Sequence, residues 1–135
     1  MSDRIVECVP NFSEGRNQDV IDAISNAGRG IPGARVLGIE PDADYNRTVL
    51  TIAGEPDAVL EAAFRVIEAA LEHIDMSSHE GEHPRIGAVD VCPFVPLKNV
   101  TMDDCVDLSK ELAIRVSKEL EIPTLETTIK SRVAY

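Results

Sequence analysis

Hydrophobic positions along the chain change period from two to between three and four and back, and the changes mark the elements. Ile5-Val6-Glu7-Cys8-Val9 is a short β-rich run that Pro10 closes. The polar stretch Asn11-Phe12-Ser13-Glu14-Gly15 reads as a loop. From about Asn17 a helix begins, because Val20, Ile21, Ile24 and Ala27 share one face. Gly28 stands where a left-handed cap would end it, and Gly30-Ile31-Pro32-Gly33 is turn chemistry. Two strands follow, over 35–39 and 47–52, the second rich in β-branched residues. The acidic turn Asp42-Ala43-Asp44-Tyr45-Asn46 separates them. Pro56 opens a second helix whose stripe is Leu60, Phe64, Ile67 and Leu71, ending at Ile74. After a polar stretch at 75–84, a fourth strand is predicted over 86–91. Thr101, followed by Asp103 and Asp104, caps a third helix faced by Cys105, Leu108, Leu112, Val116 and Leu120. Pro123 stops that helix, and 124–129 suits a fifth strand.

The order is βαββαβ followed by αβ. It predicts an α+β, ferredoxin-like sandwich: one mixed sheet with the helices packed on one face. No linker or short-period repeat divides the chain, so residues 1–135 read as a single domain.

Composition narrows the function. Apolar residues make up 44% and charged residues 27%, an ordinary globular balance that excludes a disordered or fibrous chain. The net charge of −11 disfavours nucleic acid and anionic membrane surfaces, both of which are bound through clustered cations. Cys8, Cys92 and Cys105 are few, odd in number and without C-x-x-C spacing, as expected of reduced thiols in a cytoplasmic protein. No apolar run approaches the roughly 20 residues that cross a bilayer.

The candidate chemistry lies at strand ends. His79 and His83 share one loop with Glu80 and Glu82. Imidazole titrates near working pH, so one of these histidines suits a general acid/base, with the glutamates setting its tautomer or pKa. The same residues are compatible with a plain polar loop or with a His-x-x-x-His metal pair. Gly81 and Pro84 argue against the helix on which such a pair best shares a ligand, so no metal is expected. Asn11 lies in the polar cluster after the first strand. Arg47 can pair bidentately with a substrate carboxylate, or form a surface ion pair with Asp42 or Asp44. Asp90, a charge inside an apolar strand, either faces a site or hydrogen-bonds a neighbouring loop.

The run Val6-Glu7-Cys8-Val9-Pro10-Asn11-Phe12-Ser13-Glu14-Gly15 resembles the N-terminal signature of glutamate formimidoyltransferases. Asn46-Arg47-Thr48-Val49, Ile74-Asp75-Met76, the Gly81-Glu82-His83-Pro84-Arg85 stretch with His79 before it, and the run from Gly87 to Phe94 follow in that family's order. The resemblance covers roughly residues 4–122. It implies transfer of a formimino group from N-formimino-L-glutamate to tetrahydrofolate, a co-substrate, in histidine breakdown. His83 occupies the family's catalytic position, and Asn11 and Glu40 line its cleft; Glu40 stands where the family usually has Asp. Arg47 and Asp90 complete the expected substrate- and folate-facing set. The resemblance further implies a homodimer. It also implies that this chain holds most of a first subdomain and none of a second. The rival expectation is a non-catalytic homologue acting as a binding or interaction module.

Overall fold

A computed structural model describes residues 3–74, 89–91 and 94–120, with backbone only at 89–91 and at Leu120. The elements are β1 (Ile5–Cys8), β2 (Asn11–Phe12), α1 (Gln18–Ala27), β3 (Ala34–Asp42), β4 (Arg47–Gly54), α2 (Pro56–His73), β5 (Val89–Val91), β6 (Phe94–Lys98) and α3 (Met102–Leu120).

The pairings resolve into four bands. β1 and β2 run on from one another, and both pair with β4, from Val6 opposite Gly54 to Phe12 opposite Thr48. On their other side, β1 pairs with β6 and β2 with β5. β3 pairs with the outer side of β4 along its whole length. The bands therefore lie in the order β5/β6, β1/β2, β4, β3, the spatial order of a split βαβ sandwich. A mixed sheet was expected, but every pairing among the described residues is antiparallel. Each crossover helix carries the chain over a neighbour running the other way, so adjacent bands alternate in direction. The strand expected over 124–129 lies outside the described residues.

Alternation along the strands decides the faces. Val6, Cys8, Phe12, Thr48, Leu50, Ile52 and Phe94 are buried against the helices. α2 packs on β1 and β4 and is flanked by α1 and α3, so the helices share one face of the sheet. α2 is apolar enough to be the central helix: Val59, Ala63, Val66, Ile67 and Ala70 are fully buried.

Helix ends follow local chemistry. Asn17 caps α1 by accepting the Val20 N–H at 3.3 Å. At α3, Thr101 Oγ1 accepts the Asp104 N–H at 3.1 Å, and Asp104 Oδ2 accepts the Thr101 N–H at 3.0 Å, a reciprocal capping box. Those Thr101 bonds hold the Asp104 carboxyl below the usual carboxylate range. α2 and α3 are tied by Arg115. It donates to Glu61 at 2.6 Å and to Glu119 at 3.1 Å, with its guanidinium 3.9 Å over the Phe64 ring centroid. The Arg115 hydrogen bond, then that of Arg65, lowers the Glu61 carboxyl, while Glu61 raises Arg115. Burial pushes the Cys105 thiol up, as befits an inert core cysteine.

Three local expectations are corrected. Gly28 is right-handed at φ −87°, and the left-handed turn falls later, at Gly30 (φ 77°) and Gly33 (φ 93°). Asn11 and Phe12 are strand rather than loop, because Pro10 interrupts the ladder without ending it: its carbonyl accepts the Leu50 N–H at 3.0 Å. Residues 94–98 form a strand that the sequence reading lacked. Pro96 disguises it, and is tolerated because β6 pairs on only one side among the described residues.

Candidate functional site

At one end of the sheet, the loop after β2 is pinned onto the β3–β4 turn. Asn46 adopts a left-handed φ of 52°, which asparagine tolerates better than most residues. Its Oδ1 accepts the Gly15 N–H at 2.9 Å. The buried Thr48 hydroxyl donates to the Glu14 carbonyl. Arg16 Nε donates to the Ala43 carbonyl at 2.7 Å. The Glu14 carboxylate accepts the N–H groups of Arg16 (3.0 Å) and Asn17 (2.9 Å), holding the entry to α1. Gly15 is required at this junction. A Cβ there would meet the Asp42 carbonyl and lie 2.6 Å from Arg47 N and 2.7 Å from Arg47 O, all backbone atoms.

Four of the expected site residues belong to this end. Asn11 of β2 and Glu40 of β3 both pair with Val49 of β4, so one rung of the sheet holds Asn11, Val49 and Glu40. Val49 lies between the buried Thr48 and Leu50, so this rung faces away from the helices. Asn11 is half-buried and Glu40 exposed. Arg47 opens β4 opposite Asp42 and is exposed. Asp90 sits in β5 between Val89, paired with Phe12, and Val91, paired with Asn11. The topology thus gathers Asn11, Glu40, Arg47 and Asp90 at the same end of four adjoining strands. His83 lies outside the described residues, as do His79, Glu80, Gly81, Glu82 and Cys92.

A concavity of about 370 Å³ opens here, lined by Glu40, Pro41, Asp42, Ala43, Asp44 and Val49. Asp42 serves the turn, since its Oδ1 accepts the N–H groups of Asp44 (3.0 Å) and Tyr45 (3.3 Å). Glu40 and the Asn11 amide are better placed for a ligand. Together they suit one that donates hydrogen bonds or carries positive charge. Among the described residues no three His, Cys, Asp or Glu side chains converge as a metal site. None of the described helices is long and apolar enough to cross a membrane.

Sequence reading missed the structural use of Asn46 and Glu14. In the chain Asn46 stands out only as part of the acidic turn and of a family motif, but its oxygen holds the Gly15 loop. The available signal was asparagine's preference for left-handed turn positions.

Comparison with known proteins gives a consistent result. The family model described as "Formiminotransferase domain, N-terminal subdomain" matches residues 5–131. The chain is 52% identical over 120 residues to a glutamate formimidoyltransferase from Streptococcus pyogenes serotype M1, a match covering 89% of this chain and 40% of that protein. It is likewise 52% identical over 120 residues to the formimidoyltransferase-cyclodeaminase of Sus scrofa, covering 89% of this chain and 22% of that protein. A glutamate formimidoyltransferase from Thermoplasma acidophilum is 48% identical over 119 residues, 88% of this chain and 39% of its own length. The chain therefore spans at most about two-fifths of these relatives.

Proposed function

This chain belongs to the family of formiminotransferase-domain N-terminal subdomains, and from that premise we propose that it carries the proton-transfer part of a glutamate formimidoyltransferase. The substrates in this reading are N-formimino-L-glutamate and tetrahydrofolate. The folate N5 amine attacks the formimino carbon, and His83 takes the proton that this nitrogen loses. The tetrahedral adduct then collapses. Its bond to the glutamate nitrogen breaks, and His83 returns the proton to that leaving nitrogen. No net proton or electron is lost, so one imidazole suffices as base and then acid.

Asn11, Glu40, Arg47 and Asp90 hold the substrates in this proposal. Glu40 and the Asn11 amide suit the N–H-rich formimino group, and Arg47 suits a glutamate carboxylate. The observation that most supports the reading is the rung joining Asn11, Val49 and Glu40, which puts two separately expected residues on one open surface. A cytoplasmic homodimer is part of the same proposal. Leu37 on β3 and Leu97 on β6, 60% and 52% exposed, offer apolar contacts on the two outer bands of the sheet formed by the described residues.

The test is His83→Asn in the natural full-length protein. Transfer from N-formimino-L-glutamate to tetrahydrofolate should fall roughly 10²–10⁴-fold with folding intact. A loss below about tenfold would remove His83 from this role. His79→Ala should lower the rate much less.

A further inference from the structure

β2 pairs with β4 at Asn11–Val49 and Phe12–Thr48. Past Phe12 the chain leaves the sheet for α1, yet it stays in contact with the start of β4. A Cβ on Gly15 would come 2.6 Å from Arg47 N, so the two backbones touch. Where the ladder stops, side chains take over the pairing. Asn46 Oδ1 accepts the Gly15 N–H at 2.9 Å, and the buried Thr48 hydroxyl donates to the Glu14 carbonyl. These ties span 31 and 34 residues of chain, so neither is a local turn bond.

The turn itself does not need the Asn46 amide. Asp42 already accepts the N–H groups of Asp44 and Tyr45 there. Glycine would adopt the φ of 52° as readily as asparagine. What the amide oxygen adds is a fixed spacing between two segments. One carries Asn11, four residues before Gly15. The other begins with Arg47, the residue after Asn46. A ligand gripped at both ends needs its two grips at a set separation, and an error of about 1 Å between such groups is costly.

We infer that Asn46 is a positioning residue for formimino transfer. Seconded by Thr48, it sets the distance between Asn11 and Arg47 and so the fit of N-formimino-L-glutamate. The inference rests on the formimino-transfer reading, in which Asn11 meets the formimino group and Arg47 a carboxylate of the same molecule. Neither Asn46 nor Thr48 touches substrate in it.

Steady-state kinetics of the natural full-length protein test this, with thermal melts to report folding. Asn46→Gly keeps the left-handed backbone and removes the first tie. It should raise KM for N-formimino-L-glutamate roughly tenfold or more, the scale of a lost charge-assisted hydrogen bond. KM for tetrahydrofolate should stay within about twofold, because neither displaced group is assigned to it. Thr48→Val removes the second tie with a side chain of nearly the same shape and should act in the same direction. It carries the test if Asn46→Gly does not fold. A merely structural role would shrink the folded fraction, lowering apparent kcat and leaving both KM values alone. That pattern overturns the inference and leaves the proposed function standing. An equal rise in the two KM values overturns the role given to the spacing of Asn11 and Arg47. If the unaltered protein transfers no formimino group, the proposed function falls and this role falls with it.

Discussion

Replacing Gly15 by alanine should damage the protein far more than one methyl group suggests. The added Cβ would meet the Asp42 carbonyl and the Arg47 N and O atoms, the last two at 2.6 and 2.7 Å. These are backbone atoms of the β3–β4 hairpin, so no rotamer change relieves the clash. Either the 13–17 loop lifts or the hairpin turn opens. Overpacking of this kind costs about 1–3 kcal/mol. Lifting the loop also breaks the Gly15–Asn46 and Thr48–Glu14 hydrogen bonds, at about 1 kcal/mol each. The total is about 3–5 kcal/mol, which at a urea dependence near 2 kcal/mol per molar lowers the midpoint by roughly 1.5–2.5 M. Gly38→Ala is the internal control, since a Cβ at Gly38 meets nothing within 4 Å. It should shift stability by no more than about 0.5–1 kcal/mol in either direction. Urea unfolding followed by circular dichroism compares the two. Equal midpoints for the variants would refute the claim that the loop and hairpin are fixed by backbone contact.

Arg115→Lys should destabilise by about 1–2 kcal/mol, because a lysine cannot bridge Glu61 and Glu119 while lying flat on Phe64. A double-mutant cycle with Phe64→Leu would show whether the ring contact contributes. The Glu61 carboxyl is lowered on folding, so its contribution is complete above its ordinary value and disappears as pH falls through the folded one. Glu61→Gln should therefore flatten the loss of stability below about pH 5, as read from thermal melts across an acid series. For the proposed dimer, each chain carries −11, a repulsion that salt screens over about 10 Å at 0.1 M. Sedimentation should show more dimer in moderate salt than at very low salt, and a monomer in both would remove the dimer from the proposal.

Much of this fold is legible in the residues. The stripe of Leu60, Phe64 and Ile67 is the buried face of α2, and Pro56 opens that helix as expected. What the sequence hides is mostly proline read too literally. Pro10 breaks a hydrogen-bond ladder without redirecting the chain, and Pro96 sits in a strand because, among the described residues, its band is paired on one side and has no need of its N–H there. Gly28 misleads in the opposite way. Its Cβ position lies 2.9 Å from a Val66 methyl, so glycine is needed there for room and not for a left-handed turn. Asn11 and Glu40 could each be singled out from the chain, but their shared neighbour Val49 could not. Glu40 reaches Val49 within one hairpin, but Asn11 reaches it across 38 residues of chain, a register that no local pattern sets.

The central position of β1 has a consequence for the order of assembly. Its partner β4 is made about forty residues later, and its other partner, β6, about ninety residues later. During synthesis the hairpin of β3 and β4 can form from neighbouring segments, and α2 can cover it. Strand β1 then waits with one side unpaired until residues 94–98 emerge. For that interval the nascent chain carries an open strand edge, the feature that invites pairing with the wrong chain. Glu7 points out from that waiting strand, so its negative charge is repeated on every nascent copy.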